Sequence, residues 1–122
     1  MKLGWWLLTI LYAGGIWWFS SRTGSQVGIP APWDKLAHFL EFALLGFLAA
    51  RATGSARGGF VLAAIWGAID EIHQVFVPLR SSGLDDWLAD LIGGFFGAML
   101  GGLQGRQLQR AAEARGSVKQ DS

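Results

Sequence analysis

"DDWLADLIGGFFGAMLGG", residues 85 to 102, combines acidic and small residues in a single apolar segment. Asp86 and Asp90 are four residues apart, and the same helical stripe continues through Gly93, Gly97 and Gly101. A doubled G-x-x-x-G pattern lets two helices approach closely, as pairs of membrane helices do. The stretch therefore predicts a helix that lies centrally in a bundle, with its glycines packed inward and two carboxylates at one end.

The composition around this stretch is typical of a membrane protein. Hydrophobic residues make up 52% of the 122 residues and charged residues 16%, and the chain has seven Trp and eighteen Gly. Trp and Gly are both favoured in membrane proteins. The chain has no Cys, which excludes disulfides and thiolate metal ligands. We find no phosphate-binding Gly-rich loop, no Ser-His-Asp order and no nucleic-acid patch, so we expect no nucleic-acid partner.

Four apolar stretches can be distinguished along the chain, at 3–20, 36–53, 60–78 and 84–103. Each is close to the roughly 20 residues needed to cross about 30 Å of hydrocarbon. The first is long for a signal peptide and lacks an A-x-A site, so we expect a retained helix. We predict an all-α fold, an integral membrane four-helix bundle, with a transmembrane domain over 1–104 and a polar cytoplasmic tail over 105–122 that continues the last helix for a few turns and then frays.

Basic residues are distributed unequally between the two predicted sides. The side of the termini would carry Lys2, Arg51, Arg57, Arg106, Arg110, Arg115 and Lys119, and the other side Arg22, Lys35 and Arg80. Because Lys and Arg are retained in the cytoplasm during insertion, both termini should be cytoplasmic and the loop 79–85 external. This predicts a multi-pass protein of the plasma or inner membrane, with membrane lipid as a partner of the basic tail.

The outer half of the predicted bundle carries more carboxylates than basic residues. A carboxylate near the centre of a membrane helix costs about 2.5–3.5 kcal/mol on insertion scales, so Asp70 and Glu71 need partners, water or protonation. We predict an outward-facing polar pocket lined by Asp34, Lys35, His38, Glu41, Asp70, Glu71, Gln74, Arg80, Asp86 and Asp90. Within it, Glu71 should lie near His38 and Arg80. Asp70 should bond to another helix from below, and His73 should face lipid headgroups or a neighbouring helix.

Several chemistries fit such a cluster. It could be an internal network that only holds the helices in register. Acid–base catalysis on a lipid-linked substrate would use Glu71, Glu41, His38 or Asp86, and proton or ion movement is a further alternative. A metal site could use the His38-x-x-Glu41 and Asp70-x-x-His73 spacings, but the sequence marks no third strong ligand. We therefore expect no metal ion and no cofactor.

The motifs "DKLAHFLEFALLG" (34–46) and "DEIHQVFVPLRSSGLDDWLADLIGG" (70–94), with "SSRTGSQ" after the first helix, resemble the VanZ-like family of small bacterial membrane proteins. The family's signature falls on Asp34, Lys35, His38, Phe39, Glu41, Phe42, Asp70, Glu71, Gln74, Phe76, Pro78, Arg80, Asp86, Asp90 and Gly93. Two positions depart from the pattern. Leu79 stands where the family usually has Gly, and Asp90 stands where Asn is frequent.

The resemblance implies a role on the envelope side, since the family's name-giving member is associated with low-level teicoplanin resistance. We expect the chain to bind or act on a cell-wall or lipid-linked component, with a link to glycopeptide resistance. Two alternatives stay open, namely an intramembrane hydrolase or transferase and a structural partner in an envelope complex. Whether the chain is an enzyme is undecided at this point, as is self-association through Gly93, Gly97 and Gly101.

Overall fold

The computed structural model describes residues 2–20, 33–76 and 84–121, and these residues form four helices. The helices are α1 (Lys2–Ser20), α2 (Trp33–Thr53), α3 (Ala56–Gln74) and α4 (Leu84–Asp121). No strand occurs in these three ranges. The prediction of an all-α fold with four helices is confirmed, and each helix covers most of one predicted apolar stretch.

A short turn at Gly54 and Ser55 joins α2 to α3. Gly54 has a φ of 84°, a left-handed conformation that glycine adopts without steric cost, and its N–H donates to the Ala50 carbonyl at 2.9 Å. The Ser55 side chain accepts a hydrogen bond from the Gly58 N–H at 3.0 Å and caps the start of α3. This cap explains why α3 begins at Ala56, ahead of the predicted apolar stretch. The helix ends at Gln74, four residues before Pro78.

The closest packing in the bundle joins α2 to the glycine stripe of α4. A Cβ atom added at Gly93 or Gly97 would overlap the carbonyl oxygen of Phe39 or Ala43, and one at Gly101 would lie 2.6 Å from that of Phe47. The contact positions advance by four residues along both helices together. The two helices are therefore parallel and in backbone contact, and we call this contact the α2–α4 seam. The predicted inward position of the glycines is confirmed.

The prediction that α4 lies at the centre of the bundle is wrong. Helix α2 contacts all three other helices, whereas α4 contacts α2 and α3, and α1 and α4 do not touch within the described ranges. The physical reason is the distribution of bulky side chains. The opposite face of α4 carries exposed large residues such as Ile92, Phe96 and Leu100, while α2 buries residues on several faces between Phe42 and Ala52.

The interior combines small and polar side chains with a few large apolar ones, such as Phe42 and Leu45, whereas many large apolar side chains are exposed. Buried positions include Ala49, Ala63 and Ala98, and the fully buried side chains also include Asp70, Gln74 and Asp90. Exposed large residues include Leu11, Ile72 and Phe76, which are 73%, 64% and 79% accessible. Within the described residues, one segment is long and apolar enough to cross a membrane, Lys35–Thr53 of α2, and Leu3–Phe19 of α1 is a shorter apolar segment.

Helix α4 continues well past the bundle. The sequence predicts fraying after a few turns, but the helix extends to Asp121, and its side chains from Arg106 to Ser117 are exposed. The segment is rich in Gln, Arg and Ala, which are strong helix formers. Gln109 donates to Glu113 one turn further on, at 3.4 Å. Helix propensity and local pairs therefore account for the added length.

Replacing Gly97 by Leu should destabilise the fold strongly. The new side chain would have to separate the backbones of α2 and α4, so we expect a loss above the roughly 1–3 kcal/mol of an ordinary overpacked core. Gly15→Leu is the matched control, because a Cβ at Gly15 would meet nothing within 4 Å. Thermal unfolding in detergent measures both. Equal melting temperatures for the two variants would contradict the backbone contact.

Candidate functional site: a polar cluster at one end of the bundle

Three helices bring an imidazole and two carboxylates together at one end of the bundle. His38 comes from α2, Glu71 from α3 and Asp90 from α4, and one potential ligand atom of each lies within 4.8 Å of the others. These three residues are called the polar cluster below. His38 and Glu71 are half-buried, and Asp90 is buried. The predicted proximity of Glu71 to His38 is therefore seen in the structure.

The centre of the polar cluster is a close contact between His38 and Asp90. His38 Nδ1 lies 2.8 Å from Asp90 Oδ1, and the two side chains are 14% and 0% accessible. The pair lies beside the end of the α2–α4 seam, since His38 directly precedes Phe39 and Asp90 precedes Gly93 by three residues. The register that places glycine against backbone thus also places imidazole against carboxylate.

The second oxygen of Asp90 faces α3. A Cβ atom added at Gly67 would lie 3.4 Å from Asp90 Oδ2, and Glu71 follows Gly67 by one helical turn. This oxygen is buried and accepts no hydrogen bond from any residue that the structure describes. Asp90 therefore spans the space between α2 and α3, with one oxygen directed to each helix.

A second ion pair lies one turn further out along the same two helices. Lys35 Nζ donates to Asp86 Oδ1 at 2.9 Å, with side-chain accessibilities of 38% for Lys35 and 8% for Asp86. The two pairs differ mainly in exposure. Lys35 reaches the surface, whereas His38 and Asp90 are shielded, so the polar residues form a path from the outer end of the bundle to its interior.

Helix α3 contributes further polar side chains on its buried face. Asp70 and Gln74 are each 1% accessible and share this face with Gly67. Gln74 Oε1 is buried and has no hydrogen-bond partner among the described residues. The prediction that these two residues face inward agrees with their burial.

His73 lies in another direction, as predicted. Its ring stacks on that of Trp17 from α1, with centroids 3.8 Å apart and planes 12° apart. Trp17 also contacts Trp66, at a centroid distance of 5.9 Å. The prediction that His73 faces a neighbouring helix instead of the pocket is confirmed.

Helix α1 supplies contacts that the sequence motifs do not indicate. Trp17 stacks on His73, and the Tyr12 hydroxyl donates to the Glu41 carbonyl at 2.9 Å. Nothing in the sequence distinguishes Trp17 from the neighbouring Trp18, since both belong to one apolar run. Tyr12 is the single Tyr of the chain, and a buried hydroxyl that needs a partner was the available signal.

Part of the predicted pocket cannot be placed. Arg80 and the side chain of Asp34 lie outside the described residues, so the predicted contact between Glu71 and Arg80 stays a prediction. Glu41 is half-buried on α2, and its carbonyl receives the Tyr12 hydroxyl. The binding and catalytic roles assigned from the sequence remain predictions for every member of the set.

The family model of VanZ/LLP1 matches residues 3–103 of the chain. The chain belongs to the VanZ/LLP1 family. The match to VanZ/LLP1 begins in α1, includes the three helices of the polar cluster and ends in α4 before the polar tail. The resemblance deduced from the motifs is therefore confirmed. Neither the curated proteins nor the solved structures give a match to this VanZ/LLP1 chain.

The polar cluster can take part in proton transfer and in cation binding. An imidazole held by one carboxylate and close to a second can hold or move a proton, and nitrogen and oxygen donors that converge can bind a cation. Carboxylates also accept hydrogen bonds from hydroxyl, amide and amine groups. The VanZ/LLP1 polar cluster is thus suited to a ligand that supplies positive charge or several donors.

The two ion pairs should differ in their contribution to stability. His38→Leu leaves the carboxylate of Asp90 buried without its partner, and we expect a loss of about 3–5 kcal/mol. Lys35→Met removes a partly exposed pair, for which about 0–1 kcal/mol is expected. Chemical or thermal unfolding of both variants in detergent measures the difference. Losses of equal size would show that the His38–Asp90 contact is not an interior pair.

Proposed function

We propose that this VanZ/LLP1 chain is an integral membrane protein that binds a cell-wall or lipid-linked component at its polar cluster, on the outer side of the membrane. The observation that carries the proposal is the convergence of His38, Glu71 and Asp90 from three helices at one end of the bundle. All three belong to the sequence motifs that resemble the family. Polar side chains that converge from three helices are better suited to binding a ligand than to packing the helices together.

The distribution of side chains supports the membrane setting. Large apolar residues cover the outside of all four helices, while Gly, Ala and polar residues occupy the contacts between them. A surface of this kind aggregates in water but suits lipid, where close packing of small residues and polar contacts hold helices together. Four crossings, with both termini cytoplasmic, are our proposal for the topology.

The charge at the opposite end of the bundle supports this orientation. Arg51 lies there, stacks on the Trp5 ring at 4.5 Å and donates a hydrogen bond to Gln104. Trp5, Arg51 and Arg106 line a cavity of about 190 Å³ at this end. Basic residues near Trp are typical of the cytoplasmic interface, where anionic headgroups are available. Membrane lipid is therefore a proposed partner at this end.

The chemistry of the polar cluster narrows the class of ligand. Asp70, Glu71, Asp86 and Asp90 outnumber Lys35 and His38 in the described part of this end. Such a site favours ligands that donate hydrogen bonds or carry positive charge, such as the hydroxyl, amide and amine groups of cell-wall and lipid-linked components. Binding of such a component by the polar cluster is our proposed link to glycopeptide resistance, because glycopeptides bind cell-wall precursors outside the membrane.

One observation supports catalysis as an alternative. The His38–Asp90 contact orients an imidazole beside Glu71, which is the arrangement of a general base or acid. An intramembrane hydrolase or transferase would use this arrangement on the same class of component. Incubation of the purified chain with a lipid-linked cell-wall precursor distinguishes the two functions, since the proposed binding protein retains the precursor unchanged.

The topology can be tested with reporter fusions. A reporter active only outside the cytoplasm should be active when fused after residue 82 and inactive when fused at the C-terminus, because the basic residues keep the termini inside. A cytoplasmic reporter at the same two positions is the control and should give the reverse pattern. Cytoplasmic placement of residue 82 would overturn the outward-facing site.

The function can be tested with Glu71→Gln in a glycopeptide-susceptible bacterium. Expression of the wild-type chain should raise the teicoplanin concentration needed to inhibit growth, and Glu71→Gln should return it to the level of the empty vector. Folding should be largely intact, because Glu71 is half-buried. Asp70→Ala removes a fully buried carboxyl and should lower the melting temperature more than Glu71→Gln does.

The matched control for this test is Glu113→Gln. Glu113 is exposed on the extension of α4, far from the polar cluster in sequence, so this variant should retain the full effect on growth. Full activity of Glu71→Gln at normal expression would contradict the proposal. The polar cluster would then serve only to hold the helices together.

A further inference from the structure

We propose that His38, Glu71 and Asp90 form a binding site for one divalent transition-metal cation. This site would supply one nitrogen donor and two oxygen donors from α2, α3 and α4. It replaces the expectation from the sequence that the chain holds no metal. The His38-x-x-Glu41 and Asp70-x-x-His73 spacings each pair residues of a single helix. The potential ligand atoms that lie close together come from three different helices.

The separation of the donor atoms suits a shared ion. One atom from each residue lies within 4.8 Å of the others, and His38 Nδ1 lies 2.8 Å from Asp90 Oδ1. Around a metal ion with bonds of about 2.0–2.2 Å to nitrogen and oxygen, neighbouring ligands lie about 3 Å apart. The observed separations are on the scale of this geometry.

Two buried polar atoms point independently to a ligand. Asp90 Oδ2 faces the α3 side of the polar cluster, is buried and receives no hydrogen bond from the described residues. Gln74 is 1% accessible, lies one turn after Glu71, and its Oε1 is likewise without a partner in that part of the chain. Buried oxygens without donors are costly, and a cation beside Asp90 Oδ2 would satisfy that oxygen directly.

The charge of the donor set also matches a divalent ion. A neutral imidazole and two carboxylates carry a charge of about −2, which one divalent cation cancels. A neutral assembly is the more stable one in a poorly hydrated interior, because unbalanced charge there is costly.

The donor types narrow the class of metal. Imidazole suits zinc, copper, iron and nickel, and carboxylate also accepts manganese, whereas calcium and magnesium prefer sites made of oxygen alone. Zn²⁺ and Mn²⁺ are therefore suitable probes, with Ca²⁺ as the comparison. The chain would hold the ion through its own side chains and leave further coordination positions for water or for a ligand.

The experiment uses the purified full chain in detergent, treated with a chelator and then returned to Zn²⁺ or Mn²⁺. We expect one bound ion per chain by elemental analysis after desalting, and a higher melting temperature in its presence. With Mn²⁺, pulsed electron paramagnetic resonance should detect coupling to one imidazole nitrogen. This last measurement needs no variant and so does not depend on the folding of a mutant.

Substitutions then locate the ion. Glu71→Gln and Asp90→Asn should each weaken binding at least about tenfold, because losing even a residue that only orients a metal ligand costs about 10–100-fold, while Glu113→Gln should leave binding unchanged. The absence of a bound ion in the wild-type chain would overturn the proposal, and so would equal affinity in all variants. Binding of Ca²⁺ as tight as that of Zn²⁺ would overturn the assignment to a transition metal.

The metal site and the envelope function can fail separately. Metal binding is measured without any envelope component, and the growth assay is carried out without added metal. A chain that binds no ion but loses its effect on growth with Glu71→Gln would keep the proposed function and remove the metal site. If the wild-type chain binds the ion but the Glu71→Gln variant still raises the inhibitory teicoplanin concentration, the metal site stands and the proposed function fails.

Discussion

The backbone contact between α2 and α4 is the constraint on which the rest of the structure depends. Gly93, Gly97 and Gly101 leave part of one face of α4 without side chains, so the carbonyl groups of α2 can touch it there. A contact of this kind permits very little sliding, because each step of one residue would bring a Cβ atom against backbone. The register set by the glycines then determines which polar residues meet beyond the seam, and it brings His38 to Asp90 and Lys35 to Asp86.

The polar residues at the end of the seam form a gradient from surface to interior. Lys35 reaches the surface while its partner Asp86 is already buried, and the next pair inward is shielded from solvent. Such a sequence of pairs lets charged groups enter an apolar bundle without isolated burial. At the inner end of this gradient, between α2 and α3, lies the polar cluster. Its potential ligand atoms are close together, and the buried Asp90 Oδ2 receives no hydrogen bond from the described residues.

The sequence predicts much of this arrangement, and its failures have a common cause. Helical spacing identifies the faces of α4 and α3 that are buried, so the inward positions of Gly97, Asp90 and Gln74 follow from it. Spacing within one helix does not identify the helix that covers a face. For this reason the central position of α2 was missed, and His38 was not assigned Asp90 as its partner. The stacking of Trp17 on His73 was likewise not foreseen, because one Trp in an apolar run resembles the next.

The length of α4 has a mechanical consequence. Its 38 residues make a single rod of about 57 Å, nearly twice the thickness of the apolar part of a membrane. The seam lies in the first half of this rod, so a tilt about Gly97 would move the two ends in opposite directions. Because Arg115 lies about 27 Å from Gly97 along the helix and Asp90 about 10 Å, a displacement at Asp90 would be enlarged more than twofold near Arg115, in the opposite direction. One continuous helix thereby connects the chemistry of the polar cluster to a surface on the other side of the bundle.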